Sequence, residues 1–343
     1  MGNNTAKNLL EVRGLVIAAG KGGKTTRAVD GISFSVKEEE ILGIAGESGC
    51  GKTLTALSIA GLLPGKVKII GGEIEYKNTL LTSMNEKELC KIRGSEISMI
   101  FQEYRQSLNP LVKAGRQIRE ALDLSVKIES GETASGYAKN TQRTQNINKV
   151  LKILHRLGFD EPKKIYKAYP HQLSGGMCQR VMAAIAAINC PRLLLADEPS
   201  TALDEESQNR ILSLLADLNK ECGSSILVIS HDLSIIRQFC SRYLVMYAGK
   251  IMEEGPSQSL FSPIHPYTKA LAGAIPDKSK KGAPLETIPG KVPSIDDKLT
   301  GCPFAPRCGK AKNKCFNAFP PAMESGDNKK VYCYFPETGG ANE

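Results

Sequence analysis

"GESGCGKT", residues 46–53, stands between the apolar run "ILGIA" and the helical run "LTALSIAGLL". Glycines, a lysine and a hydroxyl residue thus occupy the turn where a buried strand becomes a helix. The glycines let the backbone turn tightly with its N–H groups facing inward, and the following helix adds its positive N-terminal end. Together they predict a phosphate cradle built from Gly46, Glu47, Ser48, Gly49, Cys50 and Gly51. Lys52 is in reach of the outer phosphates, and Thr53 is placed to offer its hydroxyl to magnesium. The stretch fits the P-loop pattern in full, flanks included, and so predicts a nucleotide site in an α/β fold.

The bulk composition narrows the setting. A chain of 343 residues accommodates one large domain with an appendage, or two ordinary domains. With 41% hydrophobic and 24% charged residues it reads as a folded globular protein. The net charge of +9 is spread along the chain, as on a lysine-rich solvated surface, and no nucleic-acid partner is expected. No apolar run approaches the roughly 18 residues that span a bilayer. The opening "MGNNTAKNLLEVRG" lacks the apolar core of a secretory signal, so a cytoplasmic location is expected. Cys50, Cys90, Cys178, Cys190, Cys222 and Cys240 are scattered singly, and are expected as small buried hydrophobes.

Strand-like and helical runs alternate through most of the chain, which argues for a largely parallel sheet. "EILGIAG", "ISMIFQ", "RLLLAD" and "SILVIS" have the look of buried strands, and "GKTLTALSIAGLL" and "SGGMCQRVMAAIAAI" that of helices. From about Asn109 to Tyr169 helical spacing dominates. Inside it "IESGETASGYAKNTQRTQNINK", residues 128–149, is polar and nearly aperiodic, and reads as a mobile insertion. After about Phe261 prolines become dense and periodicity fades, which predicts a separate extension.

"RLLLADEPSTALD" (Arg192–Asp204) carries the second half of an active site. Its strand ends in Asp197, placed to hold magnesium, and Glu198, placed to polarise the water that attacks the terminal phosphate. In "LSGGMCQR", Ser174 followed by Gly175 and Gly176 at a helix start forms a second anion cradle. One nucleotide does not need two cradles from one molecule. It does if two subunits meet head to tail, each completing the other's site.

With these motifs the chain resembles the ATPase subunits of ABC transporters. The resemblance implies an ATP-binding P-loop core with an inserted helical subdomain, a glutamine loop at Gln102 and a signature at Leu173–Gln179. It also implies a magnesium aspartate at Asp197, a catalytic glutamate at Glu198, a D-loop "STALD" reaching Asp204, and a switch histidine at His231. Gln102 joins Thr53 and Asp197 as a magnesium-site residue. Within the family, "FQEYRQSLNP", "YPHQLSGGM" and "HPYTKAL" resemble the dipeptide/oligopeptide importers. The signature departs from that group at Cys178, where arginine is usual. The aromatic residue the group usually carries near Ala19 has no counterpart in "LVIAAGKGG", which leaves the adenine contact unassigned. The implied partners are a second, homologous ATPase subunit, two transmembrane permease subunits and an extracellular or periplasmic solute-binding protein. The implied place is the cytoplasmic face of the membrane. Import of nickel by the same machinery is the nearest alternative, and a soluble ATPase acting on ribosomes or nucleic acid a more distant one. The expected domains are residues 1–262, with a helical subdomain at about 104–178, and 263–343.

The last four cysteines, Cys302, Cys308, Cys315 and Cys333, have five, six and seventeen residues between them. A small proline-rich tail in a reducing compartment can rely neither on disulfides nor on a large core. Four thiolates can instead hold zinc or an iron–sulfur cluster, although the gaps are wider than the CxxC pairs of zinc motifs. The importer group's matching tail is associated with a [4Fe–4S] cluster, and all four positions match. This tail is expected to be independent of the P-loop core, so that losing one of its thiols loosens it without touching nucleotide chemistry.

Overall fold

The computed structural model describes residues 7–21, 24–130, 136–201, 203–274, 288–294, 297, 300–326 and 328–337. It divides into two compact units: one holds Lys37–Glu40 and Met84–Val228, the other Lys7–Val36, Ile41–Ser83 and Ile229–Glu343. Strands and helices are numbered in chain order.

The second unit carries the P-loop. Its first sheet comprises β1 (Asn8–Lys21), β2 (Lys24–Lys37), β4 (Val67–Tyr76) and β5 (Thr79–Leu80), in the order β2-β1-β4-β5. Along β1 the buried residues change phase, from Leu10 and Val12 to Leu15 and Ile17. The antiparallel register with β4 shifts between Arg13 and Val16, which is what keeps both sets on the core face. A second set of strands runs β11 (Met323–Ser325), β12 (Lys329–Val331), β10 (Lys250–Pro256), β9 (Arg242–Tyr247) and β3 (Ile41–Ala45). β3 and β9 are parallel, pairing Leu42 with Arg242 through Ala45 with Val245. β9 turns into antiparallel β10 at Ala248 and Gly249, both at positive φ. Helices α1 (Lys52–Ile59), α9 (Leu233–Phe239), α10 (Pro266–Gly273) and α11 (Asn313–Asn317) complete the unit.

The first unit holds α2 (Glu86–Ile92), β6 (Ile97–Ile100), α3 (Tyr104–Ser107), α4 (Ala114–Ser130), α5 (Gly136–Arg156) and α6 (Pro162–Lys167). α7 (Gly175–Ala187), β7 (Leu193–Asp197), α8 (Glu205–Cys222) and β8 (Ser225–Ile229) follow. β6, β7 and β8 are neighbours, with β6 parallel to β7, and all three are buried throughout. Their unbroken apolar runs suit strands covered on both faces.

Some expectations from sequence are corrected here. The four expected strands form as β3, β6, β7 and β8, but the P-loop unit is mostly antiparallel. Residues 128–149 are not irregular: α4 runs to Ser130 and α5 starts at Gly136, with 131–135 outside the described residues. Packing overrides the weak local pattern, because α5 buries Asn146, Val150, Ile153 and Leu154 along one helical face. The Asn146 amide there donates to Asp123 at 2.8 Å. Cys190 and Cys222 are not single: they stand side by side, with Cα atoms 5.8 Å apart, where the ends of α7 and α8 meet. Cys90 is exposed, whereas Cys50, Cys178 and Cys240 are buried as expected.

Candidate nucleotide site and the cysteine pocket

The P-loop connects β3 to α1 through glycines that only glycine chemistry permits. Gly46, Gly49 and Gly51 have φ of 148°, 80° and 103°. A Cβ on Gly46 would stand 2.2 Å from the Met246 carbonyl oxygen, so any side chain there collides with β9. Gly51 caps α1 without a side-chain hydrogen bond, so the helix start presents its N–H groups directly. The buried Lys52 ammonium folds over the loop and donates to the carbonyls of Gly46 (2.7 Å) and Glu47 (3.0 Å). Thr53 follows it in the first turn of α1. Ser48 and Cys50 complete the turn, closed by a Cys50 N–H to Glu47 C=O bond.

Glu47 is held in a way that its place in the motif does not announce. Its amide donates to the Tyr267 hydroxyl (2.9 Å) at the first turn of α10. Its carboxylate accepts two bonds from the Arg307 guanidinium, Nη1 to Oε2 at 2.7 Å and Nη2 to Oε1 at 3.2 Å. Arg307, with a side chain only 5% exposed, also donates to the Tyr247 hydroxyl (3.0 Å) and to the carbonyls of Pro289 and Ile288. Burial works against its charge, but Glu47 and Tyr247 more than offset that and hold its pKa above the ordinary arginine value. Tyr247, Tyr267 and Phe304 pack ring against ring beneath this pair, with centroids 4.6–5.4 Å apart. The expectation that the tail is separate from the P-loop core therefore fails. "HPYTKAL" was conspicuous in sequence, but the reach of Tyr267 and Arg307 to residue 47 was not.

The start of the extension is anchored by the fully buried carboxylate of Glu253 on β10. It accepts from the Tyr243 hydroxyl (2.7 Å) and from the amides of Ile264 (3.2 Å) and His265 (2.8 Å). His265 caps α10 by accepting the Tyr267 amide at Nδ1 (3.0 Å), and burial pulls its pKa down to about 3, so the ring is neutral. Beyond it, Cys302, Cys308, Cys315 and Cys333 all line one pocket, with His265, Phe304 and Phe335. The Cys302 amide donates to the Cys315 carbonyl (2.7 Å), tying two of the thiols' backbones together. Burial raises the pKa of Cys302 to about 12, and raises those of Cys308 and Cys333. Among the described residues, no three His, Cys, Asp or Glu side chains converge as the ligands of a single ion do.

In the other unit, β7 delivers Asp197, 1% exposed, and Glu198, 8% exposed. Glu198 sits at φ 50°, outside the comfortable range for its side chain, and the Thr201 hydroxyl donates to its Oε2 at 2.5 Å. Ser174 caps α7 and its hydroxyl accepts the Met177 amide (3.3 Å), with Gly175 and Gly176 as the first helical residues. A Cβ on Gly175 would come within 2.6 Å of the Tyr104 hydroxyl. Gln179 on the same helix donates to the Pro199 carbonyl (2.6 Å), linking the signature helix to the loop after Glu198. Asp204 is the cap of α8: it accepts the Ser207 amide (2.8 Å) and hydroxyl (3.1 Å), which lower its pKa. Gln102 lies exposed just after β6. In the P-loop unit His231 is exposed just after β8, beside Asp232, whose carboxylate caps α9 by accepting the Ser234 amide.

Comparison with known proteins bears on all these groups. The chain matches the ABC transporter family over residues 29–201 and the oligopeptide/dipeptide transporter C-terminal region over residues 252–315. It is 41% identical over 337 residues to the oligopeptide transport ATP-binding protein AppD of Bacillus subtilis (strain 168), covering 98% of this chain and 99% of that one. It is 38% identical over 329 residues to the dipeptide transport ATP-binding protein DppD of Escherichia coli (strain K12), covering 96% and 97%. A dimeric post-hydrolysis structure of the ATP-binding cassette MJ0796, bound to ADP and Pi, superposes with a TM-score of 0.63 at 28% identity, covering 72% of this chain and 98% of that one. Among the described residues no helix is long and apolar enough to cross a membrane.

Proposed function

We infer the working of this chain from its family: it belongs to the ATP-binding subunits of oligopeptide and dipeptide ABC transporters, and it hydrolyses ATP to drive peptide import. We propose that residues 1–262 form the nucleotide-binding domain, with its helical subdomain at about 104–178, and that 263–343 form the extension. The reading rests most on the pairing of two anion cradles, the P-loop at Gly46–Thr53 and the Ser174 cap of α7. Gly46 to Thr53 hold the phosphates, with Lys52 moving from its own loop carbonyls to phosphate oxygens. Ser174, Gly175 and Gly176 complete the site of a second ATPase subunit, and Asp204 lies at that interface. Glu198 polarises the attacking water, held in place by Thr201, and His231 contacts the terminal phosphate. Magnesium neutralises phosphate charge, and Thr53, Gln102 and the deeply buried Asp197 are the groups that would hold it.

The subunit works at the cytoplasmic face of the membrane against two permease subunits, receiving peptide from an extracellular or periplasmic binding protein. Its ATPase partner is a different homologous chain. The four thiols hold a [4Fe–4S] cluster. What supports a bound group is that all four line one pocket. Four thiolates would supply one ligand for each iron of such a cluster.

Replacing Glu198 with Gln keeps the shape and removes the carboxylate. With the partner's equivalent site disabled in parallel, the complex should bind ATP and accumulate closed, with turnover lost. Near-normal steady-state hydrolysis at this site would remove Glu198 from its role.

A further inference from the structure

We propose that the cysteine-bearing extension is a working part of the nucleotide site: Arg307 and Tyr267 are positioning residues that set the P-loop through Glu47. Three observations converge on it. Arg307 grips the Glu47 carboxylate with both Nη atoms, a fork that fixes orientation as well as distance. Tyr267 accepts the Glu47 amide, so the backbone of the same residue is held from the other side. The Gly46 and Glu47 carbonyls are in turn the acceptors of the Lys52 ammonium. A shift of Glu47 therefore moves the partners of the lysine that must be released to phosphate. Phe304 and Arg307 both lie in the short loop between Cys302 and Cys308, and both point to the P-loop side, onto Tyr247 and Tyr267. The Arg307 donors are nearly all engaged, on Glu47, Tyr247, Pro289 and Ile288, so the guanidinium has one place to be. The inference concerns nucleotide affinity and does not depend on which group the thiols hold.

Calorimetric titration of the full chain, purified anaerobically, with magnesium and the non-hydrolysable analogue AMP-PNP tests it. R307Q should weaken binding about tenfold, a coupling of the size seen between linked sites, with the melting transition retained. R307K keeps the charge but not the fork and should recover part of the loss. Y267F should weaken binding less than R307Q. The E47Q/R307Q double variant should bind no worse than R307Q alone, because the two act through one contact. A general loss of stability would give neither the partial rescue nor this non-additivity. R307Q within twofold of the wild-type affinity, or E47Q and R307Q effects that add in full, would overturn the proposal. If R307Q does not fold, E47Q carries the same test: it must lose about tenfold, and an unchanged affinity overturns the proposal. A wild-type chain that fails to bind AMP-PNP would instead overturn the nucleotide reading on which the proposal stands.

Discussion

At the scale of single residues, the most informative group is Glu198, whose place the sequence marks and whose restraint it hides. Glu198 follows an apolar strand and an aspartate, and in a chain that also carries a P-loop this suggests a hydrolytic carboxylate. That it sits at φ 50° and accepts a 2.5 Å bond from Thr201 is a property of the turn, which no spacing rule reports. In the role proposed for it the carboxylate needs one defined orientation, and the hydroxyl at residue 201 restrains it by a charge-assisted bond. Thr201→Val keeps the shape of the side chain and deletes the donor. The expected outcome is a fall of about tenfold in kcat for ATP hydrolysis by the assembled complex, with KM within twofold, because binding groups are untouched. Steady-state kinetics at saturating and limiting ATP separate the two quantities, and an unchanged kcat would leave Thr201 a turn residue only. Asp204 teaches the converse. Its place in "STALD" suggested a contact at the subunit interface, and within this chain its oxygens also cap α8, a role no motif reports.

At the scale of elements, what was legible depended on whether burial wrote itself into a simple pattern. β6, β7 and β8 are buried along their whole length and β3 from Leu42 onward, so each appears as an apolar run closed by polar or glycine residues. β1 was harder to see, because its core face changes phase where the register with β4 shifts. α5 was hidden for another reason: Asn146, a polar residue, occupies a core position and is satisfied by Asp123, so a hydrophobic template misses it. α7 was the clearest helix of all, since the Ser174 hydroxyl starts it and Val181, Met182, Ala184 and Ala187 bury it. Its capping bond is typically worth about 1 kcal/mol, a modest term in stability. The role proposed for it rests on Gly175 and Gly176 standing at a positive helix end. Ser174→Arg fills that end with a cation and bulk. Hydrolysis in the assembled complex should be abolished at the partner's P-loop, while the isolated chain keeps its nucleotide affinity by calorimetry. Loss of affinity in the isolated chain would assign the second cradle to the chain's own site.

At the scale of the whole molecule, the extension is where reading the sequence and reading the structure part most. The cysteines were legible as a set, because four thiols at the end of a proline-rich tail have few structural uses. Their attachment was not, because it runs through Glu253, β12 and Arg307, each unremarkable in sequence. The same attachment changes what losing a thiol should do. Glu253 holds the amides of Ile264 and His265, and β12 pairs with β10 from Glu253–Val331 to Glu254–Lys330. Those links do not involve the thiols. Cys308→Ser should therefore loosen the loop from Cys302 to Cys315 and its surroundings, not the whole chain after Phe261, and limited proteolysis should cut there first. Because Arg307 neighbours Cys308, affinity for AMP-PNP should fall as well, by no more than R307Q lowers it. The wild-type chain, purified anaerobically, should be brown, with iron and acid-labile sulfide in equal amounts, and the variant should lose both. A colourless wild-type chain holding about one zinc would replace the cluster with a zinc brace. If Cys308→Ser lost its iron yet kept full nucleotide affinity, Arg307 would be held by the protein matrix alone, and the thiol pocket and the P-loop would be neighbours without coupling.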